Sequence, residues 1–113
     1  MTAPSSHQAR QASLWESRVQ RAFDHWILLP DGRRVESEVV KRARRLKEAG
    51  NETWGIAAIF ESIRYDAGIG LLGDAEGYRI NNNHRSHLAR RVMALYPDLA
   101  GFFTTRDLHG RVA

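Results

Sequence analysis

The sequence predicts a mainly α-helical protein that folds as one small domain of about four helices. Four segments repeat apolar residues at intervals of three and four, which places those residues on one side of a helix. Glycine and proline residues separate these segments. The chain has 113 residues, 42% of them hydrophobic, which is enough for one buried core and too little for two domains. We expect the domain to cover residues 13–109, between a disordered tail at 1–12 and a short C-terminal tail at 110–113.

The first helix is predicted from Ser13 to about Leu28. Residues 13–16 have the S-x-x-E form of a capping box, in which two side chains satisfy free backbone N–H groups at a helix start. A Pro-Asp-Gly turn at residues 30–32 is predicted to end the helix. Its apolar residues are Leu14, Trp15, Val19, Ala22, Phe23, Trp26 and Ile27.

The second helix is predicted over residues 35–49, with Gly50 as a left-handed cap. Valine, alanine and leucine side chains form its apolar side. Its other side is basic and carries Lys41, Arg42, Arg44, Arg45 and Lys47. Two interpretations of the basic side stay open: a solvated flank partly neutralised by nearby glutamates, or a surface that faces phosphate groups.

The third helix is predicted to start near residues 51–53, to continue through Ala67 and to be the strongest core helix. Ile56, Ile59, Phe60 and Ile63 recur at helical spacing. Four glycines follow between residues 68 and 77, at a spacing that matches neither a dinucleotide-binding nor a phosphate-binding loop. We therefore expect a flexible connection.

The fourth helix is predicted over residues 81–96, with an asparagine as its N-cap and Pro97 at its end. Leu88, Val92 and Leu95 form the predicted buried stripe. After it, Leu99, Phe102 and Phe103 are expected to fold back onto the core. A short strand pair is predicted between residues 78–80 and 102–105, which makes a winged helix the nearest named architecture.

The fourth helix is also the best candidate for nucleic-acid recognition. One asparagine is enough to cap a helix, so two of the three at residues 81–83 are surplus to helix initiation. Asparagine can pair with adenine and arginine with guanine, and a helix N-terminus attracts phosphate. The alternative is that the asparagines only cap the helix and bond to neighbouring loops. The candidate nucleic-acid-binding residues are Asn82, Asn83, Arg85, Ser86, Arg90 and Arg91, with Lys41, Arg44 and Arg45 on the second helix.

A helix-turn-helix arrangement of the second and third helices would instead place the third helix in the major groove. That helix is apolar over much of its circumference, so we predict that it is a core element.

Motifs for other chemistry are incomplete. His84 and His87 lie one helical turn apart, and His109 or Asp107 could complete a metal site, but two histidines on a solvated helix face are the commoner arrangement. No G-x-S-x-G elbow is present. The sequence therefore predicts no enzyme activity, no catalytic residue, no cofactor and no metal site.

The charge of the chain favours a polyanionic partner. Lysine and arginine number 17 against 13 aspartates and glutamates, and Lys41 and Lys47 are the only lysines. The planar fork of arginine suits phosphate and guanine, although a GC-rich genome would also enrich arginine. Cysteine is absent and no segment approaches the roughly 20 apolar residues of a membrane span, so we expect a cytoplasmic protein without a membrane partner.

Short blocks occur in a fixed order along the chain: W-G-I from Trp54, I-R-Y from Ile63, I-N-N-N from Ile80, A-R at Ala89, and P-x-L-x-G-F-F from Pro97 with Arg106. Their order and spacing resemble an uncharacterised group of small proteins of bacteriophages, prophages and actinobacterial genomes. The similarity spans about residues 35–108 and leaves the first helix outside. It implies a phage or mobile-element setting.

Two classes of function fit these observations. The first is a DNA-binding regulator of a phage or mobile element that uses the helix at residues 81–96. The alternative is a protein-binding module that inhibits or adapts a host protein, with Trp15, Trp26, Tyr65 and Phe103 as candidate contacts. A homodimer built by the first helix is a third hypothesis, and it is compatible with DNA binding.

Overall fold

The computed structural model describes residues 6–73 and 78–104, with side chains from Arg10 onward. The expected mainly helical fold with four principal helices is confirmed. The helices are α1 (Ser6–Trp26), α2 (Pro30–Glu48), α3 (Ile56–Gly68) and α4 (Arg85–Leu95). Two short strands, β1 (Trp54–Gly55) and β2 (Phe103–Thr104), and two 3-10 turns, Asn82–His84 and Pro97–Leu99, complete the described elements. Residues 105–113, which include Arg106 and the predicted C-terminal tail, lie outside the described residues.

Helix α1 is longer than predicted and packs mainly through its C-terminal end. It starts at Ser6, so the S-x-x-E box at residues 13–16 lies inside the helix and the segment predicted as a tail is helical from Ser6 onward. Phe23 and Ile27 are buried, whereas residues 10–22 are exposed apart from the half-buried Val19. The exposed fractions of Leu14 and Trp15 are 52% and 58%.

The corner between α1 and α2 is tight. Pro30 is the first residue of α2 rather than part of a separate turn, because its fixed φ and missing N–H suit that position. Gly32, in the first turn of α2, is buried against the end of α1. A Cβ atom at Gly32 would lie 2.1 Å from the carbonyl oxygen of Trp26. The absence of a side chain at this position therefore sets how closely the two helices meet.

One hydrophobic core joins α2, α3 and α4 with the end of α1. Helix α2 ends at Glu48, and Gly50 follows with a left-handed φ of 103°, as predicted for the residue that caps this helix. Leu99, Phe102 and Phe103 pack back onto the core as expected, but Leu95 of the predicted buried stripe is exposed. The largest fully buried side chains are Phe60, Ile59, Ile63, Leu88, Leu99, Val35, Val39 and Val92.

The strand pair is parallel and joins β1 to β2, with Trp54 opposite Phe103. The strand at residues 103–104 was predicted, but its partner is not the segment 78–80. The Trp54 N–H donates to the carbonyl of Phe102 over 3.0 Å, which holds residues 54–55 extended and delays the start of α3 to Ile56. Because the strands are parallel, they do not form a hairpin wing.

None of the helices in the described ranges combines the length and apolar character that crossing a bilayer requires.

Candidate nucleic-acid interface

The basic side of α2 lines a surface groove of about 680 Å³ beside Tyr96, which we call the α2 groove. At 3.6 residues per turn, positions 33, 37, 41 and 44 of the helix share one side. Four cations line the groove: Arg33, Lys41, Arg44 and Arg45. Its acidic lining residues are Glu36 and Glu48. The groove therefore offers an anion more positive than negative charge.

Two of these four cations are held by carboxylates. Arg44 donates to both carboxylate oxygens of Asp98, over 2.9 and 3.3 Å, and its guanidinium lies 5.3 Å from the centre of the Tyr96 ring. The hydrogen bond from Arg44 lowers the pKa of the Asp98 carboxyl, so this carboxylate stays charged. Lys41 contacts Glu38 over 3.1 Å.

Arg33 and Arg45 differ from the other two cations because the side chain of neither makes a hydrogen bond or ion pair with another described residue. Both side chains are exposed. Twelve residues separate them, which corresponds to about 18 Å along a helix at 1.5 Å per residue. They are the charges of the α2 groove most available to an external ligand.

Arg91 connects α4 to the α2 groove. Its guanidinium donates to the carboxylate of Glu36, which is half-buried between the helices. This ion pair neutralises one of the two acidic residues in the groove. The neighbouring Arg90 is exposed and lines a smaller depression of about 220 Å³ together with Arg91, Gln20, Phe23 and His87.

The three asparagines have different roles. The Asn81 side chain accepts from the N–H of Asn83 over 2.9 Å and caps the 3-10 turn that precedes α4. Asn82 accepts a hydrogen bond from Arg64 of α3. Asn83 is exposed, and its side chain makes no hydrogen bond with another described residue. Capping and loop contacts thus account for two of the three asparagines.

The six candidate residues at the start of α4 do not share one face. Asn83, Ser86 and Arg90, spaced by three and four, lie along one side. Arg85 lies five residues from Arg90 and so about 140° away around the helix axis. Asn82 is directed to α3 through its hydrogen bond and Arg91 to α2 through its ion pair. The candidates that lie along one side are therefore Asn83, in the turn before α4, and Ser86 and Arg90 of α4.

The histidines of this helix are packed rather than solvated, which contradicts the sequence-based expectation. His84 is only 6% exposed and stacks on Trp26, with ring centres 4.6 Å apart. His87 stacks on Phe23 at 5.4 Å. The Nδ1 atoms of both histidines are buried without a hydrogen-bond partner among the described residues. Burial lowers the pKa of His84, and the nearby His87 lowers it further. His109 and Asp107, considered as further metal ligands, lie outside the described residues.

Trp26 and His84 also line a second cavity, which sequence reasoning missed. Its volume is about 610 Å³, and we call it the aromatic cavity. Trp26 and Tyr78 are its aromatic lining residues, and Arg64, Arg79 and Asn81 are its main polar ones. Arg64 is fixed in the wall because it donates to the carbonyl of Ile80 over 2.7 Å.

The chain was compared with known protein families, with curated proteins and with solved structures, and none of them matches it. Any functional assignment therefore depends on the chemistry of the surfaces described above.

Proposed function

We propose that the protein binds DNA, with a phosphate backbone lying along the α2 groove. The observation that supports this proposal best is the pair Arg33 and Arg45, two exposed cations in one groove without carboxylate partners among the described residues. Their separation of about 18 Å along α2 corresponds to roughly five phosphates at 3.4 Å per nucleotide of one strand. Arg44 and Lys41 add positive charge between them, although each also serves an internal ion pair.

The stripe of Asn83, Ser86 and Arg90 is the part of α4 that would contact base edges in this arrangement. It lies next to Arg91, whose ion pair with Glu36 joins α4 to the α2 groove. Backbone contacts along α2 would position the DNA, and contacts from α4 would give sequence preference. Asn82 and Arg85 would contribute less, because one is bonded to Arg64 and the other lies away from the stripe. On the resemblance to phage and prophage proteins, we place this activity in a regulatory role in a mobile element.

A matched pair of charge deletions tests the α2 groove. The variant Arg33→Ala/Arg45→Ala removes two cations of the groove. The control Arg10→Ala/Arg18→Ala removes two exposed cations of α1, so both variants change the net charge equally. In mobility-shift assays on random duplex DNA at low salt, the groove variant should bind about tenfold more weakly, at roughly 0.7 kcal/mol for each exposed contact. The control should bind like the wild type. Failure of the wild-type protein to bind any duplex, or equal weakening in both variants, would contradict the proposal.

The exposed apolar side of α1 favours a second candidate function, binding of a protein partner. Leu14 and Trp15 are more than half exposed, on a helix whose residues 10–22 lie largely outside the core. Of the other candidate contacts, Tyr65 is exposed, whereas Trp26 is half-buried and Phe103 belongs to the core. Sedimentation tests for a homodimer, and capture from a host lysate tests for a foreign partner. A monomer that retains no stoichiometric partner would contradict this function.

A further inference from the structure

We propose that the aromatic cavity accepts the base of an unpaired nucleotide, so that the protein prefers single-stranded DNA to duplex. This inference rests on the proposed DNA binding and specifies the form of DNA that the surface recognises.

The size and the aromatic lining of the cavity suit a nucleobase. Its volume of about 610 Å³ falls in the range of small-molecule sites, which is about 300–1,000 Å³. Trp26 and Tyr78 provide aromatic rings, and proteins that bind single strands use such rings as stacking platforms for unpaired bases. The ring of Trp26 is already fixed, because it stacks on the buried His84 at an interplanar angle of 17°. A fixed platform reduces the entropy that is lost when a base stacks on it.

The charge of the lining suits the phosphates on either side of such a base. Arg64 and Arg79 line the cavity, and none of the described lining residues is acidic. Arg64 is fixed by its hydrogen bonds to the carbonyl of Ile80 and to the side chain of Asn82, and it also forms an ion pair with Glu61 on its own helix. Because Glu61 offsets the charge of Arg64, and Arg79 also has an interaction of its own, the lining offers planar guanidinium groups rather than unpaired charge, and such groups suit a planar ligand that carries phosphate.

The cavity is also connected to the α2 groove through contacts between neighbouring residues. Trp26 and His84 line the cavity, and the Phe23 ring packs against both, with centres 6.1 and 5.8 Å away. Phe23 and His87 line the depression that also contains Arg90 and Arg91, and Arg91 is paired with Glu36 of the α2 groove. The depression that contains the exposed Arg90 therefore adjoins both sites, through the buried Phe23 ring on one side and the Arg91–Glu36 ion pair on the other. Duplex DNA could follow the groove, but it could not place a paired base in the cavity without opening that pair.

Gly68 allows a test that leaves the core and the charges unchanged. It lines the cavity, and a Cβ atom built on it meets no atom within 4 Å. Gly68→Leu should fill part of the cavity, whereas Gly68→Ala should leave it open. Ala57→Leu adds a similar side chain at an exposed position of the same helix and serves as the control for added apolar surface. Circular dichroism and thermal unfolding of all three variants would show that the fold is retained.

Fluorescence anisotropy with a labelled single-stranded oligothymidine and a labelled random duplex of equal length gives the readout. The wild type should bind the single strand about tenfold or more tightly than the duplex, since stacking of one or more bases provides that difference. Gly68→Leu should reduce binding of the single strand to the level of the duplex without changing binding of the duplex. The two control variants should keep the wild-type preference. If the wild type bound both DNAs equally, the inference would be overturned and the proposed function would stand. The same conclusion would follow if Gly68→Leu lost affinity equally for both DNAs. Binding of neither DNA by the wild type would overturn both proposals.

Discussion

Replacing Gly32 by alanine should destabilise the protein, although alanine is the better helix former. The new Cβ atom would lie 2.1 Å from the carbonyl oxygen of Trp26, 2.8 Å from the Cα of Ile27 and 2.9 Å from the carbonyl carbon of Trp26. All three are backbone atoms, so no side-chain rotation relieves the contact and the end of α1 must move. Overpacking costs about 1–3 kcal/mol, against a gain of up to about 1 kcal/mol for alanine in a helix. The difference is a net loss of about 0–3 kcal/mol in the free energy of unfolding, and we expect a value in the upper half of this range because the new atom meets backbone rather than side-chain atoms.

Urea unfolding followed by circular dichroism measures this loss. Gly68→Ala is the matched control, because Gly68 is also helical and its added methyl group would meet open space. The control should be as stable as the wild type or more stable by up to about 1 kcal/mol. A Gly32→Ala protein that matches or exceeds the stability of Gly68→Ala would refute the argument that the α1–α2 corner is set by close backbone packing.

Two further predictions concern the start of α4. The pKa of His84 is lowered in the folded protein, so below the ordinary histidine pKa of about 6.5 the unfolded chain binds more protons than the folded one. The stability that comes from keeping this histidine neutral is therefore present above that pH and decreases as the pH falls, by at most about 1.4 kcal/mol per pH unit for one proton. Urea unfolding at pH 7.5 and 5.5 should show this loss of stability, and the loss should be smaller in His84→Phe. An equal pH dependence of the wild type and His84→Phe would contradict the argument that His84 causes it. Asn81→Ala should lower the free energy of unfolding by about 0.5–2 kcal/mol through loss of the cap, and Asn81→Ser should restore part of that stability. An unfolding midpoint that is the same in Asn81→Ala and the wild type would contradict a stabilising role for the cap.

The core was predictable because helical periodicity reports burial directly. Ile59, Phe60 and Ile63 of α3 and Leu88 and Val92 of α4 are all buried, as their spacing indicated. The start of α1 was not predictable in the same way. An S-x-x-E sequence satisfies free N–H groups only where a helix begins, and the same residues are tolerated inside a helix, as at residues 13–16.

The sequence was sufficient to predict which residues make the candidate site basic, but not which of them form ion pairs with distant carboxylates. The basic side of α2 follows from the positions of its apolar residues, which exclude the arginines from the core. The pairing of Arg44 with Asp98, 54 residues along the chain, and of Arg91 with Glu36, 55 residues away, depends on how the helices pack. The burial of His84 depends in the same way on Trp26 of α1. One local signal was present: Phe23 and Trp26 are spaced by three residues, as are His84 and His87, which matches the observed stacking of the two pairs.

The salt dependence of duplex DNA binding tests the α2 groove as a phosphate-binding surface most directly. The slope of log K against log salt concentration is about −0.9 for each phosphate that a cation neutralises, so contacts from Arg33, Lys41, Arg44 and Arg45 predict a wild-type slope of about −3.6. Arg33→Ala/Arg45→Ala should reduce its magnitude by about 1.8, while Arg10→Ala/Arg18→Ala should leave the slope unchanged. A wild-type slope near zero, or a slope that the groove variant does not alter, would contradict the account.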